Sequence, residues 1–310
     1  MKIYKLPERT PVASLPEGCA VCLGNFDGVH RGHKKLFDSA REEAEAMGTF
    51  SVAFAFTTLA KPSFSVPFIT DNHTKLSLFC DCGLDYAVLE DFELLKDMTP
   101  DAFVSDYLVS TLRAGAVLCG FNYRFAKGGA GDADALSALL SPYGVKCRVI
   151  AAVEHGGEVI SSSSVRRLIA AGDMEEAQAL LGHPFSICFP VIHGKALGRT
   201  IGVPTINQTF PEGHIIPARG IYACSCFVDG EIYLAVANVG IRPTVENSET
   251  VNCETHIINY TGDLYGREIR VEFYCRLREE MKFDSVEALR RQIRIDISST
   301  LDYFSEKYGE

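Results

Sequence analysis

The sequence lacks an excess of basic residues, and it lacks any apolar run long enough to cross a membrane. Its 30 Lys and Arg residues stand against 40 Asp and Glu residues, so the formal net charge is -10, which argues against nucleic acid or an anionic membrane as a partner. No window reaches the ~18 apolar residues that a transmembrane helix requires, and the first residues, MKIYKLPERT, have no apolar core of a signal peptide. We therefore expect a cytoplasmic protein that binds any anionic ligand at a local site.

The cysteines also lack a metal-binding or disulfide pattern. The eleven residues include the pairs Cys19/Cys22, Cys80/Cys82 and Cys224/Cys226, but no second CxxC pair or set of His ligands accompanies them. We expect most of them to be buried reduced thiols, as in a reducing compartment. Internal repeats and long linkers are absent as well, and a length of 310 residues favours two domains.

The first half alternates strand and helix signals. AVCL (20–23) reads as a strand, and SVAFAF (51–56) reads as the next one. The segment between them places five apolar residues on one helical face, with Gly48 as a C-terminal cap: Leu36, Phe37, Ala40, Ala44 and Met47. A helix that begins at Thr99 and Pro100 and ends shortly before Gly115 continues the pattern, and so do the strands 116–120 and 145–153. The sequence predicts a Rossmann-like α/β domain with a parallel sheet.

The second half changes to hairpin signals, after two short helices in SSSSVRRLIAAG and DMEEAQALLG. IYACSCFV and EIYLAVANV flank Asp229-Gly230, and HIINY and EIRVEFYCRL flank TGDLYGR in the same style. A final helix is expected in FDSVEALRRQIRIDISSTLDYF, where Asp284 and Glu287 have capping-box spacing. We predict an antiparallel β-barrel or sandwich closed by one helix, and domains at residues 1–181 and 182–310.

The segment GNFDGVHRGH (24–33) lies where the first strand gives way to a helix. Its histidines, His30 and His33, suit a metal site, an anion site or a plain tight turn. The position at the carboxyl end of a parallel strand favours an anion, because the helix N–H groups there can donate hydrogen bonds to phosphate oxygens and the glycines let a phosphate approach the backbone. A metal is less favoured because no third ligand groups with the pair. The residues predicted to bind nucleotide here are Gly24, Asn25, Phe26, Asp27 and Gly28, with His30 and His33 stabilising phosphate charge.

Two weaker phosphate-site signals follow in the first half. GFNYRFAKGGAGD (120–132) is a glycine-rich loop directly after a strand, and it contains Asn122. ISSSSVRRLIAAGD gathers serine hydroxyls at a helix start, although such a run is more often a simple N-cap. The candidates in the second segment are Ser162, Ser163 and Arg166.

The second half has its own phosphate-site pattern in HGKALGRTIGVPTIN (193–207). Glycines permit close approach of a polyphosphate, basic side chains supply charge, and the oxygens of Thr205 and Asn207 suit Mg²⁺. The candidates for the nucleotide are Gly194, Lys195, Gly198, Arg199 and Thr200. Glu254 lies on a later strand and points away from Cys253 and Thr255, although a lone strand glutamate is usually only solvated.

Taken in order, these motifs resemble the prokaryotic bifunctional riboflavin kinase/FAD synthetase (FMN adenylyltransferase) family. The resemblance covers GNFDGVHRGH, the NYRF loop, SSSSVR, GRTIGVPTIN, PARGIYA, NVGIRPT, Glu254-x-His256, DLYG and LREEMKFDS, from about residue 16 to 305. It implies ATP-dependent phosphorylation of riboflavin to FMN and adenylylation of FMN to FAD. It further implies Glu254 as general base, Thr205 and Asn207 as holders of Mg²⁺ and phosphates, and Arg278 as a residue near the flavin.

The first half departs from the family pattern at Thr57, Ala126, Gly129 and Ser164. An alternative is therefore a riboflavin kinase whose N-terminal domain is a degenerate nucleotide-binding fold. A flavin-binding regulator without turnover and a transferase for a different phosphate or alcohol are further alternatives, but the first leaves Thr205, Asn207 and Glu254 without a use, and the second leaves the whole second half unexplained.

Overall fold

The computed structural model of the chain describes residues 1–6, 15–57, 66–194, 198, 202–243 and 249–309. They form two compact units, the first within Met1–Leu59 and Thr70–Ser162, the second within Ala60–Ile69 and Ser163–Glu310. Residues 163–181, placed by sequence in the first domain, group here with the second unit. Compactness alone does not test which segments fold independently, so the predicted domains 1–181 and 182–310 stay a prediction.

The first unit contains a six-stranded parallel sheet, as the α/β pattern predicts. Its strands are β1 (Lys2–Leu6), β2 (Cys19–Leu23), β3 (Ser51–Phe56), β4 (Tyr86–Glu90), β5 (Ala114–Gly120) and β6 (Lys146–Ile150). Their order across the sheet is β1-β4-β3-β2-β5-β6, and every neighbouring pair is parallel. The chain therefore winds in opposite directions on the two sides of the boundary between β2 and β5.

The described residues of this unit form the helices α1 (Arg31–Met47), α2 (Asn72–Asp81), α3 (Phe92–Leu95), α4 (Pro100–Ala102, continued as a π-helix over Phe103–Thr111) and α5 (Ala133–Leu140). A small hairpin of β7 (Glu154–His155) and β8 (Glu158–Val159) follows the sheet. The predicted apolar face of α1 is buried at Leu36, Phe37, Ala40 and Ala44. Met47 is 40% exposed, because it lies in the last helical turn beside the left-handed cap Gly48.

The helix predicted after Thr99 begins as expected and ends shortly before Gly115, also as expected. The Thr99 hydroxyl accepts the Ala102 N–H, and Pro100 occupies the first helical turn. The helical segment ends at Thr111, and Gly115 lies inside β5. Arg113 makes the turn between the helix and β5, with a positive φ of 52°.

The second unit contains an antiparallel sheet that nearly closes into a barrel, as predicted. Two helices, α6 (Ser162–Ala171) and α7 (Met174–Leu181), precede β9 (Phe185–Pro190), β10 (Ile206–Thr209), β11 (Gly220–Val228), β12 (Glu231–Pro243), β13 (Glu249–Ile257) and β14 (Glu268–Arg278). The order is β10-β13-β12-β11-β14-β9. The Ile192 N–H donates to the Asn207 carbonyl at 2.8 Å and so joins the two ends of the sheet.

One of the two predicted hairpins is confirmed. Val228 pairs with Glu231 across Asp229 and Gly230, and both turn residues have positive φ, as a two-residue hairpin turn requires. The second prediction is wrong, because β13 pairs with β10 and β12, whereas β14 pairs with β9 and β11. β13 pairs with the outer edge of β12, and β14 pairs with the outer edge of β11. The segment TGDLYGR therefore connects two strands that are not neighbours in the sheet.

The closing helix, α8 (Val286–Tyr308), is present, but its cap differs from the expectation. Ser285 is the N-cap and accepts the Ala288 N–H, so the capping box of Asp284 and Glu287 is wrong by one residue. Within the part of the chain that the structure describes, no helix combines the length and the apolar character that a membrane span needs. All eleven cysteines are free thiols and six are buried, as expected.

Candidate active sites

A cavity of about 370 Å³ opens at the carboxyl ends of β2, β3, β5 and β6. The strand order reverses between β2 and β5, and open α/β folds bind ligands at such a point. The cavity brings together seven of the residues predicted to bind nucleotide or phosphate: Gly24, Asn25, Phe26, His30, His33, Asn122 and Ser162. We name it the histidine cavity.

Asp27 and Gly28 do not line the histidine cavity but support the turn that forms it. The backbone takes left-handed conformations at Phe26 and Val29, with φ of 52° and 44°, which cost energy for residues other than glycine. Asp27 Oδ1 accepts the Thr70 N–H at 3.0 Å, and the Gly28 N–H donates to Thr70 Oγ1 at 3.2 Å. These bonds hold the turn in its strained form.

The residues predicted at the SSSSVR helix start, among them Ser162 and Arg166, fall in different units of the structure. The Ser162 hydroxyl donates to the Asp27 carbonyl at 2.8 Å, and Ser162 thus supports the same turn. Ser163 and Arg166 belong to the second unit, where Arg166 Nε donates to the Pro67 carbonyl at 2.6 Å. Of this predicted group, the structure brings Ser162 to the histidine cavity.

The two histidines stack on each other at the start of α1. Their ring centroids are 3.6 Å apart, and His30 Nδ1 accepts the His33 N–H at 3.3 Å as the helix N-cap. Because this nitrogen accepts, a neutral His30 carries its proton on Nε2. Burial, together with the charges of His30 and Lys75, holds the pKa of His33 well below its usual value. A neutral His33 at neutral pH acts as a hydrogen-bond donor and carries no full positive charge.

The surroundings of the pair favour an anion over a metal. Within the described residues, no third His, Cys or carboxylate groups with His30 and His33 as a metal site would require. Gly24 lets the Phe26 ring pack on the backbone, since a Cβ at residue 24 would lie 2.6 Å from that ring. The histidine cavity is therefore walled by close-packed backbone and imidazoles, which suits a phosphate chain.

A second cavity of about 280 Å³ lies beside the first and shares Phe56, Tyr123 and Arg124 with it. Five aromatic rings from four separate segments line it: Phe56, Phe92, Phe103, Tyr123 and Phe125. The loop residues Ala126, Gly128 and Gly129 also line it. We name it the aromatic cavity. No local sequence signal marks it, because each segment contributes one or two rings that would serve equally well in a core.

In the second unit, a cavity of about 290 Å³ contains Glu254. The predicted residues Gly198, Thr205 and Arg278 line it too, together with Asn238 and His256. Glu254 pairs in register with both Asn207 and Asn238 on the flanking strands. Cys253 and Thr255 are fully buried on the opposite face, as predicted for the neighbours of Glu254. We name this the glutamate cavity.

Asn207, Asn252 and Glu254 form one hydrogen-bonded group. Asn252 Nδ2 donates to Asn207 Oδ1 at 3.2 Å and lies 3.4 Å from Glu254 Oε1. Gly194 permits this arrangement, since a Cβ there would lie 2.5 Å from Asn207 Nδ2. The structure thus brings Thr205, Asn207 and Glu254 to one place, as the sequence predicts for a phosphoryl-transfer site.

The glycine-rich segment before Thr205 is described in part. Lys195, Arg199 and Thr200 lie outside the described residues. Gly198 is described, and its carbonyl accepts the Val203 N–H at 2.8 Å. A Cβ at Gly198 would clash with the Val203 carbonyl oxygen, so position 198 requires glycine.

Arg278 faces the glutamate cavity with its guanidinium already paired. Nε and Nη2 donate to the two carboxylate oxygens of Asp296 on α8 at 2.8 and 2.7 Å, and Nη1 donates to the Glu279 carbonyl at 2.8 Å. Asp296 is buried. Arg278 therefore joins β14 to the closing helix at the edge of the cavity.

A further cavity of about 230 Å³ meets the glutamate cavity at Thr205. The loop after β13 supplies much of its wall through Tyr260, Asp263 and Tyr265. Two cavities that share one hydroxyl-bearing residue can hold two substrates with their reacting groups together. Sequence reasoning missed this feature, and it also missed Asn238 and His256 as lining residues, although both lie in quoted motifs.

Comparison with known proteins assigns one family to each unit. A family model described as FAD synthetase matches residues 12–164, and one described as riboflavin kinase matches residues 181–304. Two relatives carry the name bifunctional riboflavin kinase/FMN adenylyltransferase. The Escherichia coli K12 protein is 35% identical, with 93% of each chain covered, and the Bacillus subtilis protein is 31% identical, with 92% of each chain covered.

A solved structure has the same fold over the whole chain. It is described as a macrolide-efflux protein from Streptococcus pneumoniae, has a TM-score of 0.84 and 27% identity, and covers 97% of this chain and 99% of its own. The motifs, the two units and the curated relatives agree along the sequence. The chain belongs to the bifunctional riboflavin kinase/FMN adenylyltransferase family.

Proposed function

We propose that the second unit phosphorylates riboflavin to FMN and that the first unit adenylylates FMN to FAD, with ATP as co-substrate in both reactions. The observation that carries the proposal is the placement of Glu254 beside Asn207 on paired strands, with Thr205 between two cavities. The histidine cavity, at the reversal point of the parallel sheet, supports the second activity.

For the kinase, Glu254 is the general base. It accepts the proton of the ribityl 5′-hydroxyl while that oxygen attacks the γ-phosphorus of ATP and ADP departs. Asn252 orients the carboxylate through Oε1. The apolar side chains of the glutamate cavity, among them Ile221, Val236 and Phe283, suit the flavin ring, and Arg278 closes its edge.

The oxygens of Thr205, where the two cavities meet, and of Asn207, which is bonded to Asn252, fit Mg²⁺ with ATP phosphates. Magnesium prefers hard oxygen ligands, and Thr205 offers a hydroxyl and Asn207 an amide oxygen. Asn207 Oδ1 accepts one hydrogen bond from Asn252, which leaves its second lone pair for an ion. Bound Mg²⁺ would neutralise phosphate charge. Gly194, Lys195, Gly198, Arg199 and Thr200 are proposed to surround the phosphates.

For the adenylyltransferase, a phosphate oxygen of FMN attacks the α-phosphorus of ATP and pyrophosphate departs. His30 donates from Nε2, and a neutral His33 donates one N–H, so both stabilise the charge that moves to the leaving group. Gly24, Asn25, Phe26, Asp27 and Gly28 form the turn that receives the phosphates. Asn122, Ser162, Ser163 and Arg166 are proposed to contact or support the nucleotide.

The aromatic cavity is the proposed place for the flavin ring of FMN in this reaction. Aromatic side chains favour a flat conjugated ring, and the cavity shares Phe56, Tyr123 and Arg124 with the histidine cavity. FMN bound there reaches its phosphate toward the nucleotide across the shared wall. We further propose a cytoplasmic location, which the free thiols support.

The deciding experiment is a product assay with purified protein, riboflavin, ATP and Mg²⁺, followed by chromatographic separation of the flavins. We expect FMN to form first and FAD to follow. FMN without FAD, even when FMN is supplied in excess, would support the kinase-only alternative. The absence of both products would contradict the proposal altogether.

A further inference from the structure

Lys75 is buried in the first unit, directly behind the histidine cavity. It lies in the first turns of α2, and 1% of its surface is exposed. Its ammonium donates to the carbonyl of Phe56, the last residue of β3, at 3.2 Å. Lys75 does not line either cavity itself, whereas Phe56 lines both.

This placement is energetically unfavourable for a lysine. Burial removes the ammonium from water, and the N-terminal end of a helix disfavours positive charge. The carboxylates of Asp27 and Asp71 compensate in part, but burial dominates and lowers the pKa of Lys75 to about 8. A residue that a fold retains at such a cost is a candidate for a functional role.

Lys75 is connected to the turn that bears the histidines through Asp27 and the residues at the start of α2. Asp27 belongs to the turn that leads to His30, and it is bonded to Thr70, which directly precedes the α2 N-cap Asp71. The charge of Lys75 also reaches His33 and lowers its pKa. A buried positive charge acts more strongly than a surface charge because the surrounding dielectric constant is lower.

We propose that Lys75 is a positioning residue for FMN adenylylation. Its side chain fixes the end of β3 and the turn that bears the histidines, and its charge adds a positive potential behind the departing pyrophosphate. The inference rests on the proposed function of the first unit. This role explains why two imidazoles suffice at a site for a highly charged nucleotide, although His33 is held neutral. The fixed positive charge is on Lys75, behind the imidazoles, and not on the imidazoles themselves.

The role predicts a specific pH dependence of FAD formation. The groups that face Lys75 are Asp27 from the turn, Asp71 from the helix cap and His33 from α1. Lys75 loses its proton as the pH rises through about 8, so the rate constant for FAD formation should fall above that pH. Arginine stays protonated throughout this range, so Lys75→Arg should remove the decline.

The test compares wild type, Lys75→Met, Lys75→Arg and the exposed α1 control Lys35→Met, with FMN, ATP and Mg²⁺ from pH 6.5 to 9.5. The pH range is about three units centred on the pKa of about 8. We expect Lys75→Met to lower kcat for FAD formation about tenfold or more, with a smaller change in the KM for ATP. Circular dichroism spectra and urea denaturation of the same samples report whether each variant is folded.

Unchanged kcat in Lys75→Met would overturn the inference. A wild-type rate constant that does not fall above pH 8 would overturn it without any variant, and so would a decline that persists unchanged in Lys75→Arg. Wild-type protein that forms FMN but never FAD would instead overturn the proposed adenylylation itself, and with it the role of Lys75. The two failures are therefore distinguishable.

Discussion

Ala126 has a backbone conformation that normally requires glycine. Its φ is 64° and its ψ is -175°, a region almost exclusive to glycine that costs about 1–3 kcal/mol for other residues. The loop holds it there, because the Lys127 N–H donates to the Met98 carbonyl and the Ala126 carbonyl accepts the Gly129 N–H. The departure from the family pattern at residue 126 thus has a physical consequence.

We expect Ala126→Gly to stabilise the protein by about 1 kcal/mol, since relief of strain exceeds the entropy cost of glycine, about 0.5–1 kcal/mol. Urea denaturation followed by circular dichroism measures the change. Ala130→Gly in the same loop is the matched control, because Ala130 has a helical φ of -64° and should gain nothing. Equal stabilisation by both substitutions would contradict the strain at Ala126.

Among single residues, the sequence predicts those that belong to a recognisable motif of neighbouring residues. GNFDGVHRGH identifies its histidines, and Pro-Thr-x-Asn identifies Thr205 and Asn207, which the structure places beside Glu254. Lys75 and the five rings of the aromatic cavity were not predicted. Their role depends on distant segments that meet in space, and a single buried lysine or phenylalanine carries no local pattern.

At the scale of elements, caps and tight turns were predictable, while the partner of a strand often was not. Thr99, Gly48 and Asp229-Gly230 act through neighbours within a few residues, and all three are confirmed. The partners of β13 and β14 are set by the two free edges of the β11–β12 hairpin, which lie far away in the sequence. The short polar connection TGDLYGR therefore led to a wrong prediction of a hairpin. The turn after α4 had no local signal either, because Arg113 adopts a left-handed conformation that glycine normally provides.

An ion pair at the edge of the glutamate cavity joins the closing helix to β14. The side chains of Arg278 and Asp296 are 19% and 5% exposed, and Gln292 Nε2 also donates to the Asp296 carboxylate. Removing one partner of a buried pair leaves an uncompensated charge. We expect Asp296→Asn to destabilise the second unit by about 2–4 kcal/mol, a value reduced for the partial exposure of Arg278.

Urea denaturation measures this loss, and Asp302→Asn, an exposed position on the same helix, is the control with little expected change. Asp296→Asn should also raise the KM for riboflavin, because the Arg278 side chain loses its fixed position at the cavity edge. Full stability in Asp296→Asn would show that the pair contributes nothing to the packing of α8.

At the scale of the whole molecule, the chain contains two units with separate cores and separate cavities. Each proposed reaction uses residues of one unit: Glu254, Thr205 and Asn207 for the kinase, and His30 and His33 for the adenylyltransferase. Changes at one site should therefore leave the other chemistry intact, provided that each reaction is supplied with its own flavin substrate.

Glu254→Gln keeps the size of the side chain and removes the base, so FMN formation should fall about 100-fold or more while FAD formation from added FMN is unchanged. His30→Ala with His33→Ala should give the reverse, with FAD formation lower by about 100-fold or more because two donors to the phosphates are lost. Separate assays with riboflavin and with FMN, on samples with matched circular dichroism spectra, measure both. Parallel loss of the two activities in a folded variant would mean that one site serves both reactions, since two independent sites cannot be inactivated together by a change confined to one.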